Sequence, residues 1–193
     1  MADTGLTGGA GSRPPVVISP FANERLRQWP WRHFRTLTEM IVREHDLPVV
    51  IVGTRAQRVS ANDIVRGLSS EMVGNACGSW SWAELVRGVD EAPYVVANNS
   101  GVAHLAAARG RWTLCIFAAS HAFGEWMPRG PRVVTMVKAV QCSPCEIGME
   151  RCPNGVACMV DLQPADAFWC FDDALGGAAR PAPREADRAA ATP

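Results

Sequence analysis

YVVANNSGVAHLAAARG, residues 94–110, is the stretch whose reading decides the fold. A β-branched, apolar run ends at Ala97, Asn98 to Ser100 are residues that turn and cap, and Gly101 opens an Ala-rich segment with helical character. The small residues that follow Gly101 permit close packing on a sheet. A helix that starts there presents free backbone N–H groups and the positive end of its dipole, and a glycine at its first position lets an anion come close. Strand, turn and helix in this order therefore predict a phosphate site, against the plainer reading of a merely capped helix. His104, one turn in, either braces the loop or touches a ligand; the helix N-terminus disfavours its cation, which favours bracing.

Working outward, five further β-branched runs flank this one: VVIS (16–19), VVIVG (49–53), EMVG (71–74), TLCIF (113–117) and RVVTMV (132–137). Between them lie segments with helical periodicity. Trp31 to His45 places Phe34, Leu37, Ile41 and Val42 on one face, Gln57 to Leu68 offers Val59, Ile64 and Val65, and Trp82 to Val89 offers Leu85, Val86 and Val89. The alternation predicts an α/β fold: a Rossmann-like, doubly wound parallel sheet of about six strands with right-handed crossovers. Ligands in such sheets bind at the carboxyl ends of the strands. Residues 1–15 are rich in Gly, Ser, Thr and Pro and residues 178–193 in Pro, Ala and charge, so both read as disordered tails around one domain, 16–177.

With 193 residues, 48% of them hydrophobic, the chain can bury one substantial core but not two such domains. Lys plus Arg and Asp plus Glu are both 19, so no overall field recruits nucleic acid, and an anion must be held by a local site. No apolar run approaches the roughly 20 residues that span a bilayer, and residues 1–15 lack the apolar stretch of a signal peptide, which predicts a cytoplasmic protein. No GxGxxG follows the first strand and no GxxxxGK(S/T) or GxSxG occurs, against a nicotinamide dehydrogenase, a P-loop NTPase and a hydrolase.

NNSGVAHLAAARG (98–110) resembles the (D/N)(S/T)GxxHLAAALG signature of glycosyltransferase family 9, the ADP-heptose lipopolysaccharide heptosyltransferases. Other segments resemble that family in the right order. VVISPFANERLRQWPWRHF (16–34) is similar to its opening strand, phosphate loop and KxWPxxHF turn, and VVIVGTRAQRVSA (49–61) to its VVLxGGPxExxxA. GSWSWAELVRGVDEAPYVVANNSG (78–101) resembles GxTSLxELAALLxxADLVVxNDSG, and FAASHAFGEWMPRGP (117–131) resembles FGPTDPxxWGPYGP. The similarity runs over about residues 16–172, the C-terminal half of a two-domain GT-B enzyme.

The resemblance implies that Ser100 and Gly101 touch a donor diphosphate, with Asn99 at a position usually held by aspartate. Arg27 stands where the family has a phosphate-neutralising lysine, and Gln57 where a glutamate commonly meets the ribose. Ser120 and His121 replace a Thr-Asp pair, and His104 completes the donor-binding set. Against these roles stand a solvated loop charge for Arg27, a helix-start surface residue for Gln57 and an exposed loop residue for His121. Trp29, Pro30 and Trp31 read as helix-start packing, and Glu125, Trp126 and Arg129 are expected near the domain cleft. The acceptor-activating carboxylate of family members lies in their N-terminal domain, so no catalytic residue is assigned here.

Seven cysteines without an export signal argue for thiols or a metal rather than a disulfide framework. Cys142, Cys145, Cys152 and Cys158 are spaced as CxxC, six residues, C, five residues, C, which leaves three readings open: a structural zinc, reduced unliganded thiols, or a disulfide or redox pair. The functional expectation is a heptosyltransferase-like donor domain that binds ADP-heptose or another nucleotide sugar for transfer to a lipopolysaccharide-core or other glycan acceptor. It needs no cofactor for the chemistry, works in the cytoplasm or peripherally at the inner membrane, and is completed by a separate N-terminal acceptor-domain chain. The competing expectations are an inactive nucleotide-binding fragment and a zinc-stabilised interaction domain.

Overall fold

The computed structural model describes residues 13–119, 125–145, 152, 154–174 and 176. Six parallel strands form one sheet: β1 (Val16–Ser19), β2 (Val49–Ile51), β3 (Val73–Asn75), β4 (Val95–Asn98), β5 (Thr113–Phe117) and β6 (Val133–Val137), in the order β3-β2-β1-β4-β5-β6. This is the doubly wound arrangement, and its direction of winding reverses between β1 and β4, where Val17 faces Val95 and Ser19 faces Ala97 in register.

The inner strands are buried along their whole length and apolar but for Ser19, Asn98 and Thr113 at their ends, because both of their faces are covered. Successive side chains point to opposite sides, and the packing follows that period. Val16 and Ile18, Val49 and Ile51, Tyr94 and Val96, and Leu114 and Ile116 meet one layer of helices. That layer consists of α1 (Trp31–His45), α2 (Arg58–Val65) and α6 (Pro164–Ala174). Val17, Val50 and Val95 meet the opposite layer, α3 (Trp82–Glu91) and α4 (Gly101–Ala108), as do Ala97, Cys115 and Phe117. Helix α4 lies close on the sheet because its inward positions are Ala103, Ala106 and Ala107.

The helical expectations hold in kind and differ at the edges. Phe34, Leu37 and Ile41 of α1 are fully buried, and its C-terminus is closed by Asp46 in the left-handed region (φ 51°), whose N–H donates to the Val42 carbonyl. The segment 57–68 is not one helix from Gln57: a 3-10 turn, Arg55–Gln57, precedes α2, which ends at Val65. Val59, expected on the inner face, is 76% exposed, while Ala61 and Ile64 are buried. Two residues of helix turn a side chain by about 200°, so Val59 must oppose Ala61.

Two elements went unread in the sequence: the single turn α5 (Ala157–Val160) and α6. Helix α6 packs Phe168 and Phe171 against the ring of His45 on α1, whose Nε2 lies 3.1 Å from the Asp172 carboxylate. Of the expected N-terminal tail, Arg13 to Pro15 are described, with the Arg13 guanidinium over the carbonyls of His45 and Asp46; residues 1–12 and 178–193 lie outside the described residues. No helix among the described residues is long and apolar enough to cross a membrane.

Candidate donor-binding site

Four loops at the carboxyl ends of β1, β2, β3 and β4 line a cavity of about 700 Å³ at the point where the winding reverses. The loop after β1 carries Phe21, Ala22, Asn23 and Arg27 into its wall. That loop is folded on itself by the Gln28 amide, which donates to the Ala22 carbonyl (2.9 Å), and by a 3-10 turn at Arg25–Arg27. The Arg27 guanidinium pairs with the Glu24 carboxylate at 2.9 Å and is about a quarter exposed, so it is structurally held rather than a solvated loop charge.

The loop after β2 brings Gly53, Thr54, Arg55 and Gln57. Thr54 and Gln57 form a capping box in which the Thr54 N–H donates to Gln57 Oε1 (2.8 Å). The amide oxygen is thereby engaged, and the N–H₂ group is what Gln57 has left for a ligand. Gly53 sits in a crowded place: a Cβ there would stand 2.7 Å from Gln57 Oε1 and 2.9 Å from Phe21, so both side chains would have to shift. Gly78 has φ +70°, and a Cβ on it would fall 2.5 Å from the Arg55 backbone, so two glycines let the loops after β2 and β3 pass each other.

After β4, Asn99, Ser100 and Gly101 enter the wall, followed by Val102 and His104. Asn99 is 7% exposed, and its N–H donates to the Ile116 carbonyl on β5. Ser100 occupies the N-cap position of α4, yet its hydroxyl makes no cap bond; Ser100 Oγ is buried without a hydrogen-bond partner. The expectation that 98–100 cap the helix is corrected at this residue. The first N–H groups of α4 are therefore left to a ligand or water. A Cβ on Gly101 would meet nothing within 4 Å, so the space above it is open cavity. His104 is exposed on the cavity side.

The family model of glycosyltransferase family 9 (heptosyltransferase) matches residues 2–154. The chain belongs to this family. Among solved structures, the chain is similar to the E. coli ADP-heptose lipopolysaccharide heptosyltransferase II at 19% identity and a TM-score of 0.70, covering 86% of this chain and 47% of that one. It is similar to E. coli heptosyltransferase WaaC, solved with ADP, at 15% identity and a TM-score of 0.67, over 87% and 46% of the two chains. A third is the iron-containing dodecameric glycosyltransferase TibC of enterotoxigenic E. coli, at 14% identity and a TM-score of 0.65, over 87% and 46%. The chain spans less than half the length of these proteins. No curated protein sequence matches it.

Within this glycosyltransferase family 9 chain, six of the eight residues assigned from the signature line one cavity: Arg27, Gln57, Asn99, Ser100, Gly101 and His104. Ser120 and His121 lie outside the described residues. Of the three residues expected near the domain cleft, Trp126 lines this cavity, and Glu125 and Arg129 are exposed outside it. Phe21, Trp80 and Trp82 were missed. They form aromatic wall with Leu85 and Val52, and the Trp80 ring lies where a Cβ on Gly88 of α3 would stand 2.6 Å away. The sequence signal for the two tryptophans was one residue just ahead of a helix and one at its start, which reads as packing.

Cys142, Cys145, Cys152 and Cys158 gather near the end of β5. The Cys145 N–H donates to the Ala119 carbonyl (2.9 Å), and the Val156 N–H to the Cys152 sulfur (3.3 Å). Burial pushes the Cys158 thiol up; the Ala119 N–H opposes this, and Cys152 and Cys142 add to it. Among the described residues, no group of three or more His, Cys, Asp or Glu side chains is placed to hold a metal ion. As arranged, the four sulfurs do not fit a tetrahedral site.

Proposed function

We propose that this chain is the donor half of a heptosyltransferase-like glycosyltransferase and binds a nucleotide-diphosphate sugar, with ADP-heptose as the donor. The observation that carries the reading is the single cavity that gathers Arg27, the uncapped start of α4 and Gln57 at the reversal point of the sheet. A diphosphate placed over Gly101 accepts from the first N–H groups of α4 and from Ser100 Oγ, and Arg27 supplies a planar, permanent charge where the family has lysine. Gln57 donates to a ribose oxygen. In the transition state the glycosidic bond breaks and negative charge grows on the departing diphosphate, which is the charge that Arg27 and the α4 N-terminus stabilise. The acceptor is a lipopolysaccharide-core or other surface glycan, and the base that activates its hydroxyl belongs to a separate N-terminal domain. ADP titrated into the purified chain tests the reading: saturable 1:1 binding supports it, and no heat or shift at millimolar ADP removes it.

A structural metal at the four cysteines is a second reading, supported by the CxxC spacing of Cys142 and Cys145 with Cys152 and Cys158 following in the same segment. It requires them to draw together from where they stand. Four sulfurs around one ion leave no open position, so its role would be to hold the fold. Stoichiometric zinc or iron after purification without added metal, with a melting temperature that falls on chelation, establishes it. Metal-free protein that melts normally removes it.

A further inference from the structure

We propose that Asn98 is a positioning residue that closes the neck of the Arg27 loop and fixes it against the start of α4; the effect on binding rests on the donor-site reading above. Asn98 ends β4 and is fully buried. Its Nδ2 donates to the Pro20 carbonyl (2.6 Å), and its Oδ1 accepts from the Trp29 N–H (3.0 Å). Pro20 and Trp29 are the two ends of the loop that bears Phe21, Ala22, Asn23 and Arg27, so one side chain holds both ends at once. The far end is held a second time by Trp29 itself, 1% exposed, whose Nε1 donates to the Leu162 carbonyl (2.8 Å).

The residues after Asn98 in sequence are the opposite wall of the cavity, Asn99 to Gly101. A displacement of the loop relative to Asn98 is therefore a displacement of Arg27 relative to the phosphate-binding backbone. An amide suits this task because it offers a donor and an acceptor about 2 Å apart without charge. Alanine loses both bonds. Aspartate keeps the shape, and its protonated carboxyl can donate to Pro20 and accept from Trp29, whereas its anion would face the Pro20 carbonyl in a buried site. Burial disfavours that anion, so the variant's carboxyl should keep its proton to a higher pH than an exposed aspartate does.

The first test needs no ligand. Amide hydrogen exchange at residues 21–28 should quicken in N98A while the strands stay protected, and unchanged exchange there overturns the proposal. The second is a double-mutant cycle on ADP affinity. R27A should weaken binding by about tenfold or more in the native chain but by less than about threefold in N98A, since a displaced guanidinium has little left to lose. An equal R27A factor in both backgrounds overturns the proposal, whereas absence of ADP binding by the native chain removes the donor reading and leaves the exchange test standing. Should N98A not fold, N98D decides. Its loop exchange and ADP affinity should match the native chain in mild acid and depart from it as pH rises, and a profile parallel to the native one overturns the proposal.

Discussion

At the residue scale, the proposed phosphate site combines the charge of Arg27 with the missing side chain of Gly101. Arg27 contributes a charge-assisted contact to phosphate, so Arg27→Ala should weaken ADP binding by about 1.5–3 kcal/mol in calorimetry. Gly101→Val tests the other component. The space above Gly101 is open cavity, so valine should leave circular dichroism and melting close to native while its methyl groups occupy the volume a phosphate needs. ADP binding should then be lost. Unchanged affinity in both variants would remove this assignment of the phosphate site. The helix start at Gly101 was readable in advance because the strand-turn-helix order dictates where backbone N–H groups collect, whereas Arg27 came only from the resemblance to the family motif. The Ser100 hydroxyl was misread because cap geometry depends on the φ and ψ of one residue, which composition does not reveal.

At the element scale, helix α3 supports the aromatic wall that includes Trp80, Trp82 and Leu85, and it starts with a capping box. The Ser81 N–H donates to the Glu84 carboxylate (2.7 Å), and the Glu84 N–H to Ser81 Oγ (3.3 Å). Ser81→Ala should cost about 1 kcal/mol in denaturant unfolding. The Ser81 backbone N–H, then its hydroxyl, hold the Glu84 carboxyl below its usual range. A depressed acid stabilises the fold fully above its unfolded pKa, near 4.3, and that contribution disappears as pH falls through the lower folded value. Glu84→Gln should therefore flatten the acid side of the stability profile in proportion. A profile identical to the native one would show that the carboxylate carries no cap.

At the scale of the whole molecule, a parallel sheet between two layers of helices holds the cavity at the carboxyl ends of its strands. In a GT-B enzyme the donor lies between two domains, and this chain spans less than half the length of the solved proteins it resembles. Proximity of acceptor and donor and a base for the acceptor hydroxyl are each worth several kcal/mol of barrier lowering. Negligible transfer from ADP-heptose to a lipopolysaccharide-core acceptor is therefore expected from the chain alone, with product appearing when a matching N-terminal domain is supplied. Donor-dependent product formation, with and without that domain, is the measurement. Robust turnover by the chain alone would place an acceptor base within its own residues.

The sequence by itself determined the six strands, their α/β alternation and the helix start at Gly101, because strands covered on both faces read as short, mainly β-branched apolar runs and turn-forming residues followed by an Ala-rich segment mark where a helix begins. It also carried the family signature that names Arg27, Gln57 and Asn99. Only the tertiary structure decided which side chains share a wall. Phe21, Trp80 and Trp82 line one cavity from segments that follow different strands, α6 returns to clasp α1 through His45 and Phe171, and Asn98 joins Pro20 to Trp29 from 78 and 69 positions away. Local periodicity reports what a segment buries; the partner it meets at such separations is set by the order in which the strands lie in the sheet.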